Sequence, residues 1–253
     1  MTMLTVATAT SIGGRVANAD AAAVVTTPLG TAASVVDGIG SELRTCAAAK
    51  LAAGTAAAVA AHRGAQAGLM AAADTMPDYP DGPNAVAAVA SVVDGRIEVA
   101  HVGDAAVWTY SATAGLRRWT VDQTAGEHIR HMLDNPGLTD AGRETLERVG
   151  AAAEVLSDYV LNGLKFATVS TMSWTPLRGQ DASVERIILT SDGVHKELTV
   201  TQIEDLARVF YDNPQALAEI LVDLAVRDEH GKHNPGSDNA TAAVIAVTGT
   251  EAG

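Results

Sequence analysis

The 253-residue chain is long enough to bury most of the surface its unfolded form exposes, so neither a disulfide nor a structural metal is needed for folding. Thirty acidic against seventeen basic residues leave a net charge of −13, which repels a nucleic-acid backbone and excludes a polynucleotide partner from expectation. The single cysteine, Cys46, has no partner for an internal bridge and reads as a small buried apolar residue in a reducing compartment.

In chain order, residues 3–10 are rich in Thr and Val and predict a strand. Residues 22–27 and 32–36 predict two further strands joined across Pro28, Leu29 and Gly30. Ser41 is positioned to cap a long alanine-rich helix running to about residue 73, with glycines at 54, 64 and 68 that would let it lie close to a sheet. Residues 85–93 and 96–102 are apolar and β-branched runs joined by Asp94-Gly95, a two-residue hairpin turn. A second pair, 105–110 and 116–120, follows through a loop containing Gly115. Helices are expected at 123–133 and 140–156, a buried strand at 184–190, amphipathic helices at 199–211 and 214–227, and a last strand at 240–247. Trp108, Trp119 and Trp174 read as packing residues.

Hairpins in series, with helices inserted in pairs, predict an α+β layered fold and not a doubly wound parallel sheet. No Pro/Gly/Ser-rich linker interrupts the chain, so residues 1–253 are expected to form a single domain. Residues 1–10 carry neither positive charge nor a leucine-rich core, and the alanine stretch 46–61 is broken by Lys50 and Gly54. A secretory signal and a membrane span are therefore not expected, and the expected place is the cytoplasm, as a monomer with no membrane partner.

Three aspartates share one setting, each at the end of an apolar β run. Asp37 follows Ser34-Val35-Val36 and precedes Gly38; Asp192 follows Ile187-Ile188-Leu189-Thr190-Ser191 and precedes Gly193; Asp238 precedes Asn239 and opens the final strand. A carboxylate beside a buried strand loses hydration unless something positive compensates it. Several gathered at one sheet edge suit Mg2+ or Mn2+, which prefer oxygen ligands and retain water. Taken singly, each also reads as a turn residue, as Asp94-Gly95 does.

Their order resembles the type 2C class of metal-dependent serine/threonine phosphatases, in blocks spread over nearly the whole chain. Gly14-Arg15-Val16-Ala17-Asn18-Ala19-Asp20 is similar to that family's opening block, and Val35-Val36-Asp37-Gly38-Ile39-Gly40 to its Asp-Gly-x-Gly block. His101-Val102-Gly103-Asp104 is similar to its Gly-Asp turn, and the segments Leu189 to Val194 and Ser237 to Thr241 to its closing metal blocks. The resemblance implies a four-layer α-β-β-α sandwich, with two central antiparallel sheets flanked by helix pairs. It implies two divalent cations, Mn2+ or Mg2+, with Asp37 bridging both and the Gly38 carbonyl on one. Asp192 and Asp238 would hold the other, Asp20 would act through water, and Arg15 would grip the substrate phosphate. The implied reaction is hydrolysis of phosphoserine or phosphothreonine in a phosphorylated protein, by a hydroxide bridging the metals that attacks phosphorus in line. Residues at about 135–174 would correspond to the family's variable flap.

Four departures from the family pattern stand out. Ala19 replaces an acidic or amide residue, Ile39 stands where eukaryotic members carry histidine, and Ala105-Ala106 replaces Ser-Arg. Lys196 stands where some members place an aspartate for a third metal, leaving Asp104 as the candidate third-metal residue. Ile39 points to a bacterial type, whereas Ala19 and Ala105-Ala106 motivate an alternative: a catalytically impaired member that binds a phosphoprotein or partner as a regulator. His195 is a candidate proton donor, while His230 and His233 read as residues of a solvated loop.

Overall fold

The computed structural model describes residues 3–153, 159–177 and 184–248. Along the chain lie β1 (Met3–Ser11), β2 (Asp20–Thr26), β3 (Gly30–Gly38), α1 (Leu43–Arg63), α2 (Ala65–Ala73), β4 (Ala85–Val93) and β5 (Arg96–Val102). There follow β6 (Ala106–Ser111), β7 (Gly115–Arg118), α3 (Ala125–Leu133), α4 (Asp140–Ala153), β8 (Ser173–Leu177) and β9 (Arg186–Thr190). The short turn α5 (Asp192–His195), α6 (Val200–Val209), α7 (Pro214–Ala225) and β10 (Ala240–Thr248) complete the order.

The strands form two five-stranded antiparallel sheets, ordered β1-β10-β9-β6-β7 and β2-β3-β4-β5-β8. Period-two alternation of the side chains explains why they stack. Val35, Ala88, Ala90, Val99, Val107, Ile187, Leu189, Ala243 and Ile245 point between the sheets and form the central core. Their neighbours point outward: Val36, Ala87 and Val89 meet α1 and α2, whereas Ile188, Ala242 and Val244 meet α6 and α7. Both faces of each sheet are therefore apolar, and a helix pair covers each outer face. The result is the expected four-layer α-β-β-α sandwich.

The β4–β5 turn is as expected: Asp94 (φ +50°) and Gly95 (φ +73°) both adopt the left-handed conformation that a type I′ hairpin demands. The helix expected over residues 41–73 is instead two helices. Gly64 breaks it at φ +88°, and Glu98 from β5 accepts a hydrogen bond from the Ala65 amide at 3.1 Å, starting α2 in a new direction. A carboxylate at a helix N-terminus satisfies an otherwise open donor and opposes the helix dipole. A Cβ at Gly64 would lie 2.3 Å from that carboxylate, so the break also depends on close approach. The other two glycines differ from expectation as well. Gly68 packs on Ala56 and Ala60 of α1, not on a sheet, and Gly54 has no atom near its missing Cβ.

Two further differences are local. Glu42, not Ser41, occupies the N-cap of α1. Strand β8 was not expected; it contains Pro176 and pairs only with β5, an edge position where a missing amide costs no ladder bond. It begins inside the range read as a flap, and Trp174 lies on it, 41% exposed, with its indole N–H donating to Glu98 at 3.2 Å. Residues 154–156 of the expected 140–156 helix lie outside the described residues.

Candidate metal centre

The site is assembled from the ends of strands in both sheets. Asp20 begins β2 and stands directly opposite Asp37 near the end of β3, in register across the pair. Asp192 begins α5, separated from β9 by Ser191, and Asp238 is separated from β10 by Asn239. Antiparallel pairing of β10 with β9 brings the last two together. Gly193 makes that approach possible, since a Cβ there would lie 2.0 Å from the Asn239 carbonyl and 3.4 Å from Asp238 Cβ.

Arg15, Asp37, Gly38, Asp104, Asp192 and Asp238 all line one cleft of about 480 Å³. Asp20 lies behind it, 4% exposed, where Ser191 Oγ donates to its Oδ2 at 2.7 Å. Ser191 Oγ in turn accepts from the Thr241 amide at 3.0 Å, so the Asp20 carboxylate is held by both β9 and β10. Arg15 is carried by the β1–β2 loop and donates from Nη2 to Asp238 Oδ2 at 2.6 Å. Lys196 donates from Nζ to Asp192 Oδ2 at 2.8 Å and to Asp104 Oδ2 at 3.4 Å.

Four carboxylates so close together cannot all ionise at ordinary pH without a compensating cation. Burial pushes Asp37 well above the usual carboxylate range, and the charges of Asp20 and Asp192 push it further. Burial likewise raises Asp20 to about 6, against hydrogen bonds from Ser191 and Thr241. Asp104 is raised to about 6 by burial and by the Asp192 charge. For Asp192 burial works upward, but the Lys196 ammonium and a hydrogen bond from Asp37 outweigh it and hold this carboxyl below its ordinary value. Burial and like charge thus disfavour the anionic forms of Asp37, Asp20 and Asp104, and added positive charge is what would relieve them.

The donor set is oxygen only, carries excess negative charge and stands at the floor of an open cleft. Among the described residues, no three His, Cys, Asp or Glu side chains converge as the ligands of one ion. That pattern excludes a closed four-ligand site of the zinc type. It fits hard divalent cations that take one or two carboxylates each, add a carbonyl, and complete their shells with water.

Several residues that shape the site were not singled out by sequence reasoning. Asn239 accepts from the Ala19 amide at 2.8 Å and donates to the carbonyls of Ile12 (2.8 Å) and Ala17 (3.1 Å), bracing the loop that carries Arg15. Its position next to Asp238 was a signal, but its partners are more than 200 residues away. Ser191 likewise has distant partners, Asp20 at 171 positions and Thr241 at 50. By contrast, His195 is not a cleft residue. Its Nδ1 lies 3.0 Å from Thr190 Oγ1, its ring stands edge-on to Trp108, and burial lowers it to about 4, which removes it as a proton donor to substrate. His230 and His233 are exposed on the loop before Asp238 and do not line the cleft.

The fold is that of the bacterial PPM-type serine/threonine phosphatases. The serine/threonine phosphatase of S. agalactiae superposes with a TM-score of 0.73 at 17% identity, covering 97% of this chain and 100% of that one. The PPM phosphatase MsPP of Mycobacterium smegmatis, solved with cacodylate, gives 0.68 at 20% identity, covering 97% and 98%. The catalytic domain of the serine/threonine protein phosphatase PstP, solved with two manganese ions, gives 0.61 at 20% identity, covering 98% and 100%. No protein-family model matches the sequence, and sequence comparison finds no match among curated proteins.

Proposed function

We propose that this protein hydrolyses phosphoserine and phosphothreonine in phosphorylated proteins, with two divalent cations held in the cleft. The observation that carries the reading is the convergence of Arg15 with Asp37, Asp104, Asp192 and Asp238 in one cleft, backed by buried Asp20. A neighbour of the same fold solved with two manganese ions supports the cation number. Asp37 and the Gly38 carbonyl would serve one cation and Asp192 with Asp238 the other, Asp37 bridging to the second only as the carboxylates close around it, with Asp20 orienting water from behind.

Bound there, such cations supply a water of lowered pKa for attack on phosphorus and neutralise charge on the phosphoryl oxygens. Burial and the neighbouring carboxylates disfavour ionised Asp37, so a cation held there would offset that charge. Arg15, 52% exposed at the cleft wall, has a planar guanidinium able to take two phosphoryl oxygens at once and hold the ester bond in line. The cleft mouth, where Ile39 and Tyr159 stand beside the aspartates, is open enough to admit a peptide side chain. The flap at about 135–174 would lie beside that mouth, since Tyr159 and Val160 also line it.

The departures at Ala19 and Ala105-Ala106 do not favour the impaired, partner-binding alternative. All three side chains are buried and none lines the cleft: Ala105 packs between the sheets and Ala106 under α6 and α7. The test is hydrolysis of p-nitrophenyl phosphate and of a phosphothreonine peptide with added Mn2+. Turnover that requires the metal and disappears in Asp192→Asn is expected; wild-type protein that binds Mn2+ without hydrolysing either substrate would favour the binding role.

A further inference from the structure

Lys196 follows the single turn α5, with its amide donating to the Asp192 carbonyl at 2.9 Å, so its side chain returns over the same face as Asp192. Its ammonium lies 2.8 Å from Asp192 Oδ2 and 3.4 Å from Asp104 Oδ2. Asp104 is 3% exposed. It stands in the crossover from β5 of one sheet to β6 of the other, and Asp192 follows β9, which pairs with β6, so the lysine joins carboxylates from two separate chain segments that line the cleft. A buried carboxylate needs a cation against it, and here that cation is tethered to the chain.

We propose that the Lys196 ammonium is the resident cation of the Asp104 side of the cleft, limiting the protein to two divalent ions and making Asp104 a positioning residue for the lysine. The inference rests on the two-cation reading above. Its physical basis is exclusion: a divalent ion placed between Asp104 and Asp192 would have to displace an ammonium already bonded to both, at short range from a like charge. Replacing Lys196 with a carboxylate removes the repulsion and adds an oxygen ligand at the same place.

Mn2+ bound per chain, measured by equilibrium dialysis with elemental analysis and by titration calorimetry, tests this without recourse to turnover. Wild type and Lys196→Arg are expected to saturate at two ions, because both keep a cation against Asp104. Lys196→Asp is expected to take a third ion, roughly tenfold or more tighter than any third uptake in wild type. Circular dichroism checks that each variant is folded; Lys196, 37% exposed at its side chain, tolerates replacement. Three ions in wild type, or two in folded Lys196→Asp, would overturn the proposal. The phosphatase reading fails separately, by two bound ions in wild type without hydrolysis, and a wild-type chain that takes up no Mn2+ overturns both.

Discussion

Arg15 and Asp238, 223 positions apart in sequence, form an ion pair at 2.6 Å across the mouth of the cleft, each side chain about half exposed. Exposed pairs of this kind contribute about 1 kcal/mol or less. The contact is therefore easily exchanged: Asp238 for a cation, Arg15 for a phosphoryl group. On the proposed function, a cation held by Asp238 would free the guanidinium for substrate. Charge-assisted hydrogen bonds contribute about 1.5–3 kcal/mol, so Arg15→Ala should raise KM for p-nitrophenyl phosphate, or the inhibition constant of orthophosphate, by roughly 10–100-fold. Mn2+ affinity should be unchanged or tighter. Steady-state kinetics with calorimetric metal titration separate the two effects, and a variant that lost Mn2+ affinity without change in KM would place Arg15 among the metal-supporting residues instead.

Asp37→Asn should abolish metal-dependent turnover and yet stabilise the metal-free fold. The native carboxyl sits at the cleft floor among Asp20, Asp104 and Asp192, where burial and like charge both disfavour its ionised form. An amide keeps the shape and removes the charge. Thermal melting in EDTA should show the variant at or above wild type, by a margin on the order of 1–3 kcal/mol. A variant that melts well below wild type would contradict the electrostatic account of the cleft.

Raised carboxyl groups contribute stability that is fully present below their unfolded value of 3.8 and is lost as pH rises through the folded value, about 6 for Asp20 and Asp104. For each, that difference corresponds to about 3 kcal/mol withheld from the metal-free fold at neutral pH. Bound cations compensate the ionised form, so the melting-temperature increase on adding Mn2+ should be small at pH 5 and grow towards pH 7.5. A Mn2+-induced shift that did not change over this range would count against the cluster as the binding site.

Glu98 holds two elements far from the cleft, accepting from the Ala65 amide at the start of α2 and from Trp174 on β8. Glu98→Ala should cost about 1–2 kcal/mol, read as a lower urea midpoint with unchanged slope and unchanged turnover per folded molecule. No change in the midpoint would mean that Gly64 alone breaks the helix.

Local pattern was enough for most of the architecture. The type I′ turn at Asp94-Gly95 and the period-two apolar runs specify hairpins, because each depends on residues within a few positions. The capping box of α6, with Thr199 and Gln202, and Pro214 at the start of α7 are equally local. Strand β8 escaped notice because an edge strand carrying proline lacks the buried run that identifies a strand. The break between α1 and α2 escaped because its partner, Glu98, lies on a strand more than thirty residues away.

The same division runs through the site. Asp37, Asp192 and Asp238 were legible because each ends or opens an apolar strand, and an acidic residue there is costly unless it has work to do. Chain order and neighbouring residues determined that much. Tertiary structure alone decided that Arg15 faces Asp238, that Ser191 braces Asp20, that Lys196 spans Asp104 and Asp192, and that His195 turns into the core. Those contacts depend on sheet register and layer stacking, which bring side chains within hydrogen-bond reach from positions that share no local signal.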